Sequence, residues 1–506
     1  MPLTSIEFLA FLLIVSLFYF IFPGKGKRVV LLIASIAFYM LWSIPNTIVL
    51  LLTSLVPYFL GLLIDQTRSG EERYSHHKSV FRRKHLLAMG LFLLIGELFV
   101  YKYHNFTASQ LNHLFDTLLM EVRIPSLPTS IIIPLGISFY IFQSIGYIAD
   151  VYNGKIKAER NIIVFLLFIS FFPKIIQGPI ERGDGFLQQL HMIKKRGRFN
   201  YDQVSSGLIT FIWGMFIKMV IADRIAILVN TVFDQYYIYG TSELAVAAVF
   251  YAIQIYCDFA GYSAMAVGSA RVFGFELTQN FDCPYFSAST REFWRRWHIS
   301  LSTWFRDYVY FPLGGSRCGK WRKRLNVLIV MLVSGIWHGA GWNFIAWGLL
   351  HGIYQVAGDL LSPVKRSLQA RLHVPVTSAS HRLGSMLVTF VFIDLAWIFF
   401  RAPNIAIALD YLRVMFTRFN PWVFFDGSLL KLGLDQIEMN VLNLSLVLLV
   451  IVDLIQYRLK IRIDQMLRGQ CLWFRWGVIL LLITMVWVLG EYGSSFSSSS
   501  FIYQSF

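Results

Sequence analysis

Long apolar runs separated by short polar loops dominate the pattern of hydrophobic and polar positions. A run of about 20 apolar residues can cross the hydrocarbon core of a bilayer as a helix. The runs that approach this length are 5–23, 29–42, 45–65, 86–102, 129–148, 161–177, 206–230, 243–257, 341–361, 384–401, 438–456 and 472–490. Any one of them could be a buried core helix, but together they leave too little polar sequence to coat a soluble protein. The pattern predicts an all-α, polytopic transmembrane helical bundle of about 10 to 13 spans, some broken or re-entrant. One transmembrane domain is expected over residues 1–490, with a short tail at 491–506.

Composition supports this class of fold. Apolar residues make up 56% of the chain and charged residues 15%, against about 25% charged in soluble proteins. The net charge of +16 would also suit a nucleic-acid-binding protein. The basic residues, however, lie in short loops between apolar runs, so we expect no nucleic-acid partner.

The basic loops predict the topology of the chain. They alternate with loops poor in Lys and Arg, and the excess of Lys and Arg lies on the cytoplasmic side of membrane proteins. Both termini are therefore expected outside. Residues 5–23 have no basic leader or cleavage site before or after them, which favours a retained first span over a signal peptide. The loops expected in the cytoplasm are 25–28, 68–85, 155–160, 191–198, 316–324, 365–382 and 458–468.

Residues 286–310 have a different pattern from the apolar runs. At 100° per residue, one arc of about 80° holds Arg291, Arg295, His298, Ser302 and Arg306, and bulky apolar residues cover the other side. This predicts a basic amphipathic helix at the cytoplasmic interface. Two roles are open for its basic face: an anchor for lipid headgroups, or the mouth of a site for a phosphate-bearing donor.

His338 is the sharpest candidate for chemistry. It follows a 13-residue apolar run, 325–337, which is too short to cross a bilayer. Gly339 and Gly341 permit a tight reversal, so a re-entrant hairpin would hold an imidazole inside the membrane. Ionisable groups at that depth usually face protein or a water-filled cavity. His338 is then either a general base for a hydroxyl acceptor or a structural histidine bonded to a neighbouring helix.

Asp258 is the second buried candidate. A carboxylate in an apolar run must be paired or neutral, and this one would orient a histidine or bind a cation. The four cysteines have no paired or metal-like spacing, so neither a disulfide framework nor a metal site is expected.

Five segments of the chain form a specific set of motifs. They are 171–182 (FFPKIIQGPIER), 258–263 (DFAGYS), 293–308 (FWRRWHISLSTWFRDY) with 312–315 (PLGG), 337–340 (WHGA) and 397–402 (WIFFRA). These segments resemble the bacterial membrane-bound O-acyltransferase family, in its alginate O-acetylation branch. They occur in family order, so the motif core of the resemblance is 170–402. The pattern of the family commonly has an acidic residue where this chain has Ala264, so any role of that carboxylate is absent here unless Asp258 covers it.

The resemblance implies a helical funnel with a catalytic histidine at His338 and a second functional histidine at His298. It implies an acyl thioester donor reached from the cytoplasm, with acetyl-CoA or an acyl carrier as the source and acetyl as the expected acyl group. No bound cofactor is implied. The acceptor would be reached from outside, through a secreted or periplasmic SGNH-type acyltransferase that passes the group to a polysaccharide. The expected location is the bacterial cytoplasmic (inner) membrane, in contact with membrane lipid.

Three matters stay open at this point. A transporter or flippase would also line its substrate path with buried polar residues, and a non-catalytic scaffold would need none of this chemistry. The tail resembles the aromatic ending of family members, with Gln504 and Ser505 departing from it. Tyr503 is therefore a candidate acyl relay or docking residue, against the alternative of a frayed end.

Overall fold

A computed structural model describes residues 1–69, 76–128, 132–193 and 199–492 of the chain. Over these ranges every regular element is a helix, which confirms the all-α prediction. Most helices fall on the apolar runs, because an apolar segment in a membrane must satisfy its backbone hydrogen bonds internally.

The first helices of the chain precede residue 200. They are α1 (Ile6–Ile21), α2 (Gly26–Met40), α3 (Ile44–Ser69), α4 (His76–Leu98), α5 (His104–Thr117), α6 (Ile137–Asn153), α7 (Ile162–Ser170) and α8 (Gly183–Met192).

The remaining helices continue to the end of the described residues. They are α9 (Tyr201–Met215), α10 (Asp223–Asp234), α11 (Thr241–Val272), α12 (Thr290–Arg296), α13 (Ile299–Phe305), α14 (Gly319–His338), α15 (Trp342–Arg371), α16 (Ala379–Arg401), α17 (Ile405–Thr417), α18 (Gln436–Leu459), α19 (Ile463–Arg468) and α20 (Leu472–Leu489). Three π-helical turns extend or join helices, at Phe99–Tyr103, Phe216–Ala222 and Arg306–Tyr310.

By length and composition, 7 helical segments of the described chain are long and apolar enough to cross a membrane. The prediction of about 10 to 13 spans counted shorter runs as well. One of these, 161–177, contains only the nine-residue α7, and residues 171–182 after it form a buried non-helical segment. The shorter runs thus miss that length for different reasons: 161–177 is broken by a buried turn, whereas α1 is a continuous helix of only 16 residues.

The chain divides into two compact units. Unit 1 comprises Met1–Leu208 with Ala266–Thr278, and unit 2 comprises Ile209–Met265 with Gln279–Phe506. In unit 1, Lys174 fixes the non-helical segment: its Nζ donates to Oε1 of Gln143 at 2.6 Å and to the carbonyl oxygen of Phe168 at 2.7 Å. These bonds compensate the burial of an ammonium group that is 2% exposed.

In unit 2, the predicted helix over 286–310 is not continuous, and that prediction was wrong in this respect. The structure has the short helices α12 and α13 followed by the π turn, with a break at His298. His298 adopts the left-handed conformation, with φ 43° and ψ 56°. A left-handed residue cannot continue a right-handed helix, so the periodicity of a single helix does not apply across it.

The hairpin around His338 is present, but its first arm is longer than predicted. α14 begins at Gly319 and has 20 residues, which rise about 30 Å. The helix contains the basic segment 320–324 in addition to the apolar run 325–337 that follows it.

Candidate active site

A closely packed helical hairpin holds His338 at the end of α14. α15 begins at Trp342, so the reversal occupies residues 339–341. The helices touch backbone to backbone: a Cβ on Gly348 would lie 2.4 Å from the carbonyl oxygen of Met331 and 3.0 Å from Cα of Gly335. Such proximity is available only to glycine, and it fixes α14 against α15.

The reversal itself needs room rather than unusual dihedral angles. Gly339 and Gly341 both have extended backbone, with φ of −163° and −166°. A Cβ at Gly339 would lie 2.2 Å from the Phe344 ring, so no other residue fits there without displacing that ring. Nδ2 of Asn343 donates to the carbonyl oxygen of Ala402 at 3.0 Å, which ties the turn to the end of α16.

Aromatic rings enclose the His338 side chain, which is 2% exposed. The rings of Trp337 and Trp347 lie roughly perpendicular to the imidazole, and each has its centroid 4.8 Å from the His338 centroid. The centroid of the Phe400 ring lies 5.4 Å from it. Trp347 in turn stacks on Trp397 at 5.7 Å. The arrangement excludes bulk water from an imidazole and limits its rotation, as a positioned proton acceptor requires.

The break at His298 is held by a hydrogen-bonded asparagine. The carbonyl oxygen of Asn280 accepts from the backbone N–H of Ile299 at 3.0 Å. Its side-chain Oδ1 accepts from the backbone N–H of Ser300 at 3.2 Å and from Ser300 Oγ at 2.7 Å. These bonds satisfy donors at the start of α13 that a helix leaves open, and they stabilise the left-handed residue before it.

As a result, the His298 side chain leaves the basic face on which the sequence had placed it. It is fully buried, with its ring 4.7 Å from Phe259 and 6.1 Å from Trp337. Burial lowers the pKa of His298 to about 3, so the imidazole is neutral at physiological pH. Because Trp337 also contacts His338, the two candidate histidines lie against the same indole.

The three arginines predicted to share a basic face do lie together. A cavity of about 540 Å³ has Arg291, Arg295, Arg306 and Lys323 in its wall, and it extends to Ser334, one helical turn before His338 on α14. Arg306 and Tyr310 enter the wall from the π turn, a feature often found at functional sites. The other lining residues are Trp294, Ile299, Leu301, Ser302, Thr303, Phe305, Val327, Val330, Met331 and Gln355.

One carboxylate restrains two of the cavity cations. Asp359 lies 3.4 Å from Arg291, 3.2 Å from Lys323 and 3.2 Å from Arg324. Arg295 has no acidic partner in the part of the chain that the structure describes. The cavity wall therefore keeps an excess of positive charge that an anionic ligand can neutralise.

Comparison with known proteins agrees with the arrangement. Residues 157–393 match the profile of MBOAT, the membrane-bound O-acyltransferase family. A probable alginate O-acetylase of Azotobacter vinelandii is 33% identical over 442 residues, which cover 87% of this chain and 82% of that protein. A peptidoglycan O-acetyltransferase of Helicobacter pylori is 33% identical over 441 residues, which cover 81% of this chain and 79% of that protein.

The chain belongs to the membrane-bound O-acyltransferase family.

A more distant relative shares part of its length. A teichoic acid D-alanyltransferase of Streptococcus thermophilus is 30% identical over 306 residues, 56% of this chain and 73% of that protein. This O-acyltransferase is thus related to enzymes named for the modification of three different envelope polymers. The matched residues 157–393 include both candidate histidines and the whole cavity wall.

Asp258 of this O-acyltransferase has a partner that sequence reasoning missed. Nζ of Lys218 lies 2.6 Å from its carboxylate and 2.5 Å from that of Asp223. The expectation that Asp258 is paired or neutral is confirmed, because the lysine ammonium balances the carboxylate. The suggested roles of orienting a histidine or binding a further cation stay predictions. The signal was available, since Lys218 is a lone lysine inside the apolar run 206–230.

A third buried histidine also belongs to the aromatic cluster. His351 on α15 is fully buried, and its Nδ1 accepts from Nε1 of Trp294 at 3.3 Å. Its ring lies 4.9 Å from that of Trp347. The sequence gave no reason to assign it a role. Tyr503 and the rest of the predicted tail beyond Tyr492 lie outside the described residues.

Proposed function

We propose that this membrane-bound O-acyltransferase moves an acyl group, acetyl in the first instance, from a phosphopantetheine thioester to a hydroxyl for O-acetylation of an envelope or extracellular polysaccharide. The observation that carries the proposal is the cavity, which joins a wall with more basic than acidic side chains to a point one helical turn from His338. Asp359 pairs with Arg291 and Lys323, and Asp307 pairs with Arg306. Arg295 has no acidic partner among the described residues. Phosphates of coenzyme A or of an acyl carrier suit the arginines, whose planar fork binds phosphate oxygens in pairs.

In the proposed reaction His338 acts as the general base. It takes the proton of the acceptor hydroxyl while the oxygen attacks the thioester carbon, so a C–O bond forms as the C–S bond breaks. The thiolate leaves with the electrons of the C–S bond and receives the same proton from His338. No proton or electron is left over. The neutral His298 imidazole, held against Trp337, would position that indole and the base beside it.

The test of the base is His338→Gln, which keeps the size and one hydrogen-bonding group but not the proton exchange. We expect polymer acetylation to fall at least 100-fold, the lower end of what a general base contributes. O-acetyl content is measured by NMR of the purified polymer, at matched protein level in the membrane. His104→Gln is the matched control, since His104 is a half-buried histidine of α5 that lies outside the cavity and is bonded to the Pro125 carbonyl. Near-normal acetylation by His338→Gln would remove this residue from the mechanism.

The relatives suggest the acceptor side of the proposal. Their names associate two of them with alginate and peptidoglycan, so a bacterial inner-membrane location and a polysaccharide acceptor are proposed here. A secreted SGNH-type acyltransferase is the proposed intermediary, with a serine as the immediate acceptor. Deletion of such a partner should leave the level of the membrane protein unchanged but abolish polymer acetylation, because the acyl group then has no acceptor. Unchanged polymer acetylation would mean that the protein acylates the polymer directly.

The donor can be either acetyl-CoA or an acetylated carrier protein, because both present the same phosphopantetheine thioester. Purified protein in proteoliposomes, supplied with the secreted acceptor and with each donor in turn, distinguishes the donors by the rate of thiol release. A transporter would release no thiol from either donor, and that outcome would overturn the proposed activity.

A further inference from the structure

Two polar side chains of the cavity wall have no partner for their buried polar atoms among the described residues. Ser334 on α14 is 2% exposed, and its Oγ makes no hydrogen bond. Nε2 of Gln355 on α15 is likewise buried and makes none. Both residues line the cavity. Buried polar groups in proteins nearly always have a partner, so the pair requires an explanation.

Ser334 differs from several helical serines of this chain. It shares its state with Ser144 of α6, whose buried Oγ makes no hydrogen bond either, but only Ser334 of the two lines the cavity. Ser16, Ser35 and Ser54 each donate to the carbonyl oxygen four residues earlier, at 2.7, 2.8 and 2.7 Å. This local bond is the ordinary way in which a helical serine satisfies its hydroxyl. Ser334 has the same opportunity at Val330 and does not use it. Its hydroxyl instead remains available in the cavity.

The distance along α14 between Ser334 and His338 can be compared with the length of the end of the donor arm. Four residues of helix separate them, a rise of about 6 Å. In a phosphopantetheine thioester the last amide lies two methylene groups from the sulfur. Four bonds join the amide nitrogen to the thioester carbon, roughly 5 Å in an extended chain at ~3.5 Å per three bonds. An amide held at Ser334 would therefore bring the thioester carbon to the level of His338.

We propose that Ser334 and Gln355 bind the last amide of the phosphopantetheine arm and so set the register of the donor. The amide N–H donates to Ser334 Oγ, and Gln355 Nε2 donates to the amide carbonyl oxygen. A hydroxyl and a carboxamide have the complementary groups for this pair. The inference rests on the proposed function and adds to it the residues that select a donor by its arm rather than by its phosphates.

The test compares ligands with and without the arm on the purified full-length protein. Coenzyme A and phosphopantetheine carry the amide, whereas adenosine 3′,5′-bisphosphate carries phosphates only. Ser334→Ala and Gln355→Leu should each weaken binding of the first two by about three- to tenfold, the usual range for one neutral hydrogen bond. Neither variant should change binding of the bisphosphate. Ser54→Ala, which removes a backbone-bonded helical serine, is the matched control and should change nothing.

The outcomes separate the inference from the proposed function. If the wild-type protein binds neither coenzyme A nor phosphopantetheine, the proposed donor is wrong. If the wild type binds coenzyme A and phosphopantetheine and both variants bind them equally well, the register-setting role is wrong. It is also wrong if the variants lose affinity for all three ligands to the same extent. Should Gln355→Leu fail to fold, Gln355→Met, which is closer in shape, replaces it. Methionine has no hydrogen to donate to the amide carbonyl and adds no charge to the cavity, so this variant must also lose affinity only for ligands with the arm. A preference for phosphopantetheine over coenzyme A would indicate a carrier as the source.

Discussion

At the scale of single residues, the two candidate histidines owe their positions to different causes. His338 ends a regular helix and is enclosed by rings that its own and neighbouring helices supply. His298 is buried because its backbone is left-handed, and Asn280 maintains that conformation through the first residues of α13. The basic side chains on either side of the break stay at the cavity while the imidazole between them turns inward. One chain segment thereby supplies both a cationic wall and a buried ring.

Arg295 allows a test at this scale because it has no acidic partner in the described part of the chain. Arg295→Lys keeps the charge but loses the planar fork. We expect the KM for the thioester donor to rise roughly three- to tenfold, with kcat little changed, since the variant keeps the charge and loses about one hydrogen bond of the fork. The measurement is thiol release against donor concentration. Arg413→Lys, at an exposed arginine of α17 paired with Asp410, is the control. If the KM does not move, the basic residues serve as an anchor for lipid headgroups.

At the scale of elements, the α14–α15 hairpin is the part that the site depends on most. Glycines let the two backbones meet, so the position of His338 follows from α15 as much as from its own helix. Close packing of this kind transmits small displacements. A change on α15 that pushes the helices apart should therefore move His338 and Ser334 without touching either.

The glycines of α15 offer a matched pair for this prediction. In Gly348→Ala the new methyl would lie 2.4 Å from the Met331 carbonyl oxygen. We expect a loss of about 1–3 kcal/mol in stability and at least a tenfold loss of thioester turnover. Gly358→Ala in the same helix meets nothing within 4 Å and should be neutral or stabilising by up to about 1 kcal/mol. Thermal unfolding and turnover measure both effects. Equal behaviour of the two variants would contradict the role of the close contact.

At the scale of the whole molecule, the chain is a multi-pass membrane protein whose family and helical class are established. The direction of acyl transfer depends on its orientation in the membrane. The alternation of basic and neutral loops predicts that orientation, because Lys and Arg near the ends of spans stay in the cytoplasm. The donor cavity and the basic loop 316–324 should then be on the cytoplasmic side.

Single cysteines test the orientation. In a background with Cys318→Ser and Cys471→Ser, which removes the two exposed cysteines, we expect Ser43→Cys to react with a membrane-impermeant thiol reagent in intact cells. Arg82→Cys should react only after the cells are opened. The measurement is the extent of labelling of the purified protein. The reverse pattern would invert the donor and acceptor sides and contradict the proposed direction of transfer.

Much of this protein followed from its sequence alone. Long runs of apolar residues predict helices in a membrane because a helix satisfies its backbone hydrogen bonds within one segment, and the carboxylate of Asp258, inside such a run, had to be paired or neutral. The resembling segments predicted the family, and the glycines after His338 predicted the hairpin. Tertiary structure decided three features that the periodicity of the sequence could not predict. Lys218 is the partner of Asp258, and the helix breaks at His298. Ser334 and Gln355 share one cavity with the arginines. Each of these depends on contacts between residues distant in sequence or on one backbone dihedral angle, and burial in the folded chain is what fixes them.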